Sequence, residues 1–529
     1  MKRYRHEEYL AHTLPFAGRG AITGLFVGVT IFFFKLIAEK LEELSHHIYE
    51  GAHENPMKIV LIFAGLIFFA TLMYLLHKKI PEVKGGGIPR SEGILRGILK
   101  LRWLRTFFGT LAGSLISFFC GVPLGSEGPS VLIGTSMAHG LNPLKHGEAT
   151  NRELMTGGAC AGFAVATGSP LTAVLFVLEE VHRRITPSLL LVASSSAICA
   201  TAVNYILCAI FEINPVLFDI GAVVALEMSH IGYILILAVI VAVAVNLFDA
   251  AVFYFQIFME KHGQKIPPYA KILFIFLLTG VVGIFAPEAL FGGRGIILGV
   301  VGGEEMVYVI LLLLVWRAVM MLFTSASGVT GGIFVPTLAI GALVGALGAN
   351  LLVVLGMPDE YFGTMVLIAM CAFMGGSMRA PLTAAVFFIE ATAQYTSVFY
   401  LAIVVFFVYF TTNLPDREAF YDLVLDGMEK AQHRGIKRRI MRFEAKVSDN
   451  AFIIGKPSRD ILWPHSAVIT AITRADRHHR AMDNDGEKKF YAGDTLVIRV
   501  QLYNEEYVTN YLYDLVGRQY EMTVTEIDA

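Results

Sequence analysis

The chain has 529 residues, of which 55% are hydrophobic and only 16% charged. With a mean hydropathy of +0.61 this is not the composition of an ordinary soluble protein. A formal net charge of −2 carries no footprint for a nucleic acid polymer. Apolar runs near the roughly 20 residues that a spanning helix needs recur from Phe16 to about Thr412, which predicts a polytopic membrane protein with a soluble tail.

In chain order, the basic start from Met1 to Arg5 is not a cleavable signal, because a polar stretch separates it from the first apolar run. Residues 1–15 read as a helical N-terminal segment, on the cytoplasmic side. Spans are expected at about 16–38, 57–77, 104–121, 125–138, 153–168, 170–183, 187–211, 229–258, 269–286, 305–324, 333–355, 361–376, 381–394 and 397–413. Several are too short for a perpendicular crossing and read as tilted or re-entrant helices, whose broken ends must be buried in protein or line an aqueous cavity. Basic residues crowd the loop from Lys78 to Arg105 and recur at Lys145, Arg152, Arg183, Arg184 and 437–439. By the positive-inside rule those faces, and both termini, are cytoplasmic. Five cysteines without paired spacing suggest neither a disulfide framework nor a zinc site. No metal and no cofactor are expected.

The stretch Gly125-Ser126-Glu127-Gly128-Pro129-Ser130 stands out as polar and glycine-framed between apolar segments. A carboxylate at membrane depth is expensive and marks a functional site by default. Pro129 fits the first turn of a helix, where its missing N–H costs nothing. The reading is a broken segment whose helix N-terminus attracts anions, with Glu127 as an acid gate beside it.

An internal repeat supports this architecture. SPLTAVLFVLE at 169–179 resembles APLTAAVFFIE at 380–390, an offset of 381 − 170 = 211 at the prolines. Pro129 and Pro336 keep nearly the same register, 336 − 129 = 207. Repeated halves with matching interruptions point to a substrate site between the halves near the midplane. The halves read as about 16–211 and 229–428 of a 16–428 transmembrane domain. A charged linker, 429–445, then leads to a small α+β module at 446–520 and a tail at 521–529. In it, Gly493 and Asp494 before an alternating apolar run signal a turn into a strand, and 503–518 has helical spacing.

Four stretches converge on one family. Gly85-Gly86-Gly87-Ile88-Pro89, Gly125-Ser126-Glu127-Gly128-Pro129, Gly331-Gly332-Ile333-Phe334-Val335-Pro336 and Phe420-Tyr421, in this order and spacing, resemble the signature of the CLC chloride channels and proton-coupled chloride antiporters. The resemblance covers roughly 15–425. It implies an all-α polytopic membrane protein, a homodimer with one ion pathway per subunit, each subunit a CLC-type inverted repeat of tilted and broken helices.

Position by position, the resemblance makes Glu127 the gating glutamate and Glu180 the inner proton-transfer glutamate. Ile333 and Phe334 become anion ligands through their amides, and Tyr421 through its hydroxyl. Gly86 falls where most chloride-selective members carry serine, and Ser126 replaces the usual arginine. Both are departures, and the first leaves fluoride or nitrate open beside chloride. Structural alternatives exist: Glu180 could form a helix-end ion pair with Arg183 or Arg184, and Tyr421 could belong to an interfacial belt. Glu390, repeat-equivalent to Glu179, reads as structural.

The tail resembles the TrkA-C (RCK C-terminal) domain over about 446–502, a module that implies regulation, sometimes by a small ligand such as a cyclic dinucleotide. His478, His479 and Arg480 read as a solvated loop tip. The resemblance thus implies a chloride–proton antiporter in a prokaryotic cell membrane, not an enzyme. A passive voltage- or ligand-gated channel and a sensor with a vestigial pore are the other readings.

Overall fold

The computed structural model describes residues 2–54, 56–141, 148–218, 220, 224–303, 305–415, 417–433, 436–474, 481–482 and 486–527. His478, His479 and Arg480 lie outside them.

The first half comprises α1 (Lys2–Glu50), α2 (Pro56–Lys79), α3 (Gly87–Leu95), α4 (Trp103–Phe119), α5 (Glu127–Gly140), α6 (Glu148–Thr167), α7 (Pro170–Phe176) and α8 (Pro187–Phe211). The second half comprises α9 (Ile231–His262), α10 (Pro268–Phe285), α11 (Arg294–Val301), α12 (Val307–Ser327), α13 (Phe334–Val354), α14 (Phe362–Ser377), α15 (Pro381–Thr392) and α16 (Val398–Asn413). Helices α3 and α11 start 294 − 87 = 207 residues apart, as do α5 and α13 (334 − 127). Helices α7 and α15 start 211 apart (381 − 170), as do α8 and α16 (398 − 187). The fold is therefore an all-α duplicated bundle. Among the described residues, eight helical segments are long and apolar enough to cross a membrane.

Three differences from the sequence reading have simple causes. The polar start and the first span form one helix of 49 residues, because nothing near Pro15 breaks the helical ladder. Helices α3 and α11 fall outside the expected spans, since nine and eight residues are too few to register as apolar runs. Helix α17 (Phe420–Gln432) continues through the start of the expected linker, so the connection to the tail falls between Gln432 and Arg439.

Small residues let the helices approach. A Cβ on Gly24 of α1 would lie 2.2 Å from the Ser196 carbonyl oxygen of α8, and one on Gly134 of α5 would lie 2.1 Å from that of Gly158 in α6. Gly341 and Gly345 of α13 pack in the same way on Met370 and Val366 of α14. In the membrane, where apolar burial drives little association, such backbone approach is what holds helices together.

The tail has strands β1 (Arg439–Lys446), β2 (Val468–Thr473), β3 (Ala481–Met482), β4 (Thr495–Leu502) and β5 (Thr523–Glu526), with α18 (Glu505–Val516) after β4. They form one sheet in the order β3-β2-β4-β1-β5, with antiparallel pairs throughout. Phe443, Ile498 and Val500 on the sheet and Tyr511, Leu512 and Leu515 on α18 form its separate core. The sheet extends beyond 446–520 at both ends, because β1 and β5 pair with each other.

Candidate ion pathway

Three interrupted helices begin at one place. The amide of Gly125 donates to the carbonyl of Gly332 at 2.7 Å, and the amide of Gly332 returns the bond to Gly125 at 2.7 Å. This backbone pair joins the approaches to α5 and α13. A Cβ on Gly87 would lie 2.0 Å from the Gly128 carbonyl oxygen, and one on Gly128 would lie 2.8 Å from the Gly332 Cα. Only glycine allows this crossing. Gly85, at φ +80°, turns the chain into α3 and donates to the Gly328 carbonyl at 2.8 Å. The unpaired amides of three helix N-termini thus gather at one point, where partial positive charge accumulates.

Glu127 is the first residue of α5 and is 2% exposed. Its Oε1 accepts from Ser126 Oγ at 3.3 Å. Its Oε2 is buried and has no hydrogen-bond partner among the described residues. Oε2 would lie 2.3 Å from a Cβ on Gly125, so the glycine leaves the carboxylate its space. The acid thus sits at the start of α5, where the Gly125–Gly332 bonds bring the approach to α13 alongside. Pro129 and Pro336 each occupy the third helical position, within the turn whose amides need no internal acceptor.

Ile333 caps α13 and Phe334 begins it. The Phe334 ring is held edge-on by Phe163 at 5.0 Å and Phe387 at 5.8 Å, and Phe163 stacks on Phe176 at 4.6 Å. That packing fixes the direction of the α13 amides. Tyr421 of α17 is fully buried, and its hydroxyl has no hydrogen-bond partner among the described residues. An interfacial belt residue would not be so placed. Gly86 caps α3 at φ −69°, open to any residue. An added Cβ there would meet only Pro89 Cδ at 3.5 Å, the Gly331 carbonyl at 3.8 Å and Ile333 Cγ1 at 3.9 Å. A Cβ on Gly331 would meet the Leu124 side chain at 2.6 Å.

Glu180 is 1% exposed and lies on a π-helical stretch, Val177–Val181, that extends α7. Such bulges are frequent at functional positions. Among the described residues its carboxylate makes no ion pair. Arg183, at φ +51°, instead pairs with Asp422 at 2.5 Å, and Arg184 donates to the Ile461 carbonyl at 3.4 Å. Glu92, Arg96 and Asp422 gather at the end of this stretch, around Val181 and Arg183. Arg96 pairs with Glu92 at 2.8 Å and with Asp422 at 3.3 Å, and also donates to the Val181 carbonyl. Sequence reasoning missed these three. The signals were the i, i+4 pair Glu92 and Arg96 directly after the Gly85–Pro89 motif, and the position of Asp422 next to Tyr421.

Glu179 and Glu390 are used differently. Glu179 accepts from the Leu382 amide at 3.0 Å and from the Thr383 amide and hydroxyl at 2.7 Å. Glu390 accepts from the amides of Leu171 at 2.9 Å and Thr172 at 2.8 Å, and from the Thr172 hydroxyl at 2.5 Å. Each caps a helix of the opposite half.

The tail packs on the Glu180 end. Arg152 of α6, 1% exposed, lies 3.9 Å from the Tyr511 ring centroid and donates to the Tyr507 hydroxyl at 3.1 Å. Burial pulls the Lys456 ammonium below its ordinary value, against the opposing charges of Glu153 and Asp460. Among the described residues, no group of three or more His, Cys, Asp or Glu is placed to hold a metal ion.

The sequence profile of the voltage gated chloride channel family matches residues 68–413. The chain belongs to this family. An H(+)/Cl(-) exchange transporter ClcA of Salmonella paratyphi B is 30% identical over 403 residues, covering 74% of this chain and 83% of the relative. The protein of the same description from Salmonella schwarzengrund is 31% identical over 328 residues, covering 61% and 69%. Among solved structures, a slow cyanobacterial Cl-/H+ antiporter superposes with a TM-score of 0.71 at 24% identity, covering 79% of this chain and 99% of that one. A CLC-type fluoride/proton antiporter gives 0.61 at 20%, covering 76% and 96%. These likenesses establish the CLC fold over the membrane domain, so the protein is a multi-pass membrane protein. In this CLC chain, α17 with Tyr421 and the whole tail lie beyond the matched 68–413.

Proposed function

We propose that this CLC protein exchanges chloride for protons, with Glu127 as the gating acid and Glu180 as the acid that loads the proton at the other end. The observation that carries the reading is the place of the buried Glu127 carboxylate, at the start of α5 where the Gly125–Gly332 bonds bring the start of α13 alongside. A carboxylate and a chloride ion at these helix starts draw on the same amide donors, so ionised Glu127 and anion exclude one another. Protonated Glu127 no longer competes and can carry its proton away. Exclusion at one site is what couples the two flows.

Tyr421 supplies a further donor to the anion, since its buried hydroxyl finds no protein acceptor among the described residues. Glu180, without an ion pair among the described residues and close to the Arg96, Arg183 and Asp422 group, is the acid placed to gain and lose a proton. The described relatives, named as H(+)/Cl(-) exchange transporters, support the same reading. Gly86 favours a second reading on selectivity: with no hydroxyl and open space, the site takes anions besides chloride, nitrate or fluoride among them.

In this reading the Glu180 end, the tail and both termini lie on the cytoplasmic side of a cell membrane, which the basic loops support. The protein works as a homodimer, and the apolar surfaces of α8 and α16 are available for that contact. The tail is a TrkA-C-like regulatory module joined to the pathway through Arg152.

The test is proton uptake into liposomes of the purified protein, driven by a chloride gradient with voltage held by valinomycin and potassium. Uphill proton movement that vanishes in Glu127→Gln and Glu180→Gln supports antiport through both acids. Chloride flux without proton movement in the unmodified protein makes it a channel.

A further inference from the structure

A groove of about 520 Å³ opens between the end of α1, the first half of α2 and the end of α4, and the pathway described above makes no use of it. One wall is a stripe of α2, Lys58, Leu61, Ile62, Gly65 and Phe69, at the three- and four-residue spacing that shares a helix face. Ile48 and Tyr49 of α1 form the facing wall, and Phe119 and Cys120 the inner end. Glycine makes the space: a Cβ on Gly65 would meet nothing within 4 Å, unlike the tightly packed Gly24 and Gly134. The Phe69 and Phe119 rings close the bottom edge to face, 5.2 Å between centroids.

Length and charge decide what fits. Lys58 and Phe69 are 69 − 58 = 11 residues apart, about 16 Å of helix, or half of the ~30 Å hydrocarbon core. Helix α2 is a spanning segment that begins at Pro56, so Lys58 stands at the membrane boundary and Phe69 near the middle. Val60, Leu61 and Phe68 are exposed apolar side chains on the same part of α2, a surface that meets lipid. Lys58 is exposed at the mouth, and an ammonium at that level attracts anionic headgroups. Glu50, at the same end, lies against His46 and His47, each at 3.4 Å. The groove thus has the depth of one leaflet, an apolar wall and a cation at headgroup height.

Its inner end reaches the pathway. Tyr49, buried, donates its hydroxyl to the Cys120 carbonyl at 3.1 Å. The carbonyl of the next residue, Gly121, accepts from the Phe291 amide at 3.2 Å. Four residues further on, Gly125 makes its paired bonds with Gly332. A molecule packed on Phe119 and Cys120 therefore bears on the turn that leads into α5.

We propose that this groove binds one anionic phospholipid, with its phosphate at Lys58 and the end of one acyl chain on Phe69 and Phe119. The bound chain braces the turn at 120–124 ahead of the Glu127 helix. The inference does not depend on which ions the pathway carries.

The test uses the full-length protein in detergent, titrated with phosphatidylglycerol or phosphatidylcholine of equal chains and read by native mass spectrometry. One phosphatidylglycerol should be held per chain, roughly fivefold more tightly than phosphatidylcholine, the weight of one lysine at an anionic surface. Gly65→Phe fills the groove and should remove this lipid, while Lys58→Gln should keep a lipid and lose the preference. Leu312→Phe, on the exposed apolar face of α12, should change neither. Unchanged retention in Gly65→Phe places the lipid elsewhere and overturns the proposal. So does equal retention of the two lipids by the unmodified protein, or a preference that survives Lys58→Gln. Amide hydrogen exchange over 120–126 should slow when phosphatidylglycerol binds the unmodified protein, and not in Gly65→Phe; exchange indifferent to the bound lipid defeats the bracing role. Where Gly65→Phe fails to accumulate, Phe69→Trp decides. Quenching of the added fluorescence at lower concentrations of chain-end-brominated phosphatidylglycerol than of the matching phosphatidylcholine supports the site, and equal quenching opposes it.

Discussion

Glu179 and Glu390 cap each other's helices: each carboxylate, near the end of its own helical segment, accepts two backbone amides and a threonine hydroxyl at the start of α15 or α7. The symmetry makes a direct prediction. Glu179→Gln and Glu390→Gln should each cost about 1–3 kcal/mol, the range for weakening partly buried charge-assisted bonds. Thermal melting of purified protein in detergent measures this. One neutral variant beside one costly variant would show the two caps unequal.

Gly86 and Gly87 should respond in opposite ways. Gly86→Ser fits the space around that position and adds a donor, so the protein should fold and discriminate chloride from nitrate more sharply. Competition between the two anions in flux measurements tests it. Gly87→Ala drives a methyl group into the Gly128 carbonyl and should abolish the folded protein, seen as loss of the monodisperse fraction in size-exclusion chromatography.

Tyr421→Phe removes a hydroxyl that has no protein partner among the described residues, so stability should hold or rise. Anion binding should weaken by about 0.5–1.5 kcal/mol, the worth of one hydrogen bond. Chloride titration calorimetry checks the affinity and melting checks the stability. Equal affinity would place the anion away from Tyr421.

The tail contact predicts a mechanical link. Tyr511→Leu deletes the ring that covers Arg152, an interaction of about 1–2 kcal/mol when shielded from water. Limited proteolysis between Gln432 and Arg439 should then accelerate. Flux measured on the same sample shows whether the freed tail speeds or slows transport, and an unchanged rate of both would leave the contact without consequence.

Much of this was legible in the sequence because membranes force it. Apolar length fixed the long spans, and proline at a helix start fixed where the broken ones begin. The repeat offsets exposed the halves. Helices α3 and α11 escaped, since eight or nine residues carry too little hydropathy to register. The surroundings of Glu180 escaped for another reason. The alternative partners were the arginines three and four residues on, but the π-helical stretch and the left-handed Arg183 turn Arg183 toward Asp422 and Arg184 toward the Ile461 carbonyl, each more than two hundred residues away. Local spacing rules presume an α-helix, and the backbone there is not one.

The paired bonds between Gly125 and Gly332 bear on ancestry. Each residue gives its amide and takes the other's, which is how two identical surfaces meet about a two-fold axis. A single unduplicated half, inserted in both orientations, could make the same contact with a second copy of itself. Gene duplication would then have joined subunits that already fitted, and freed their two sequences to diverge into one acid end and another.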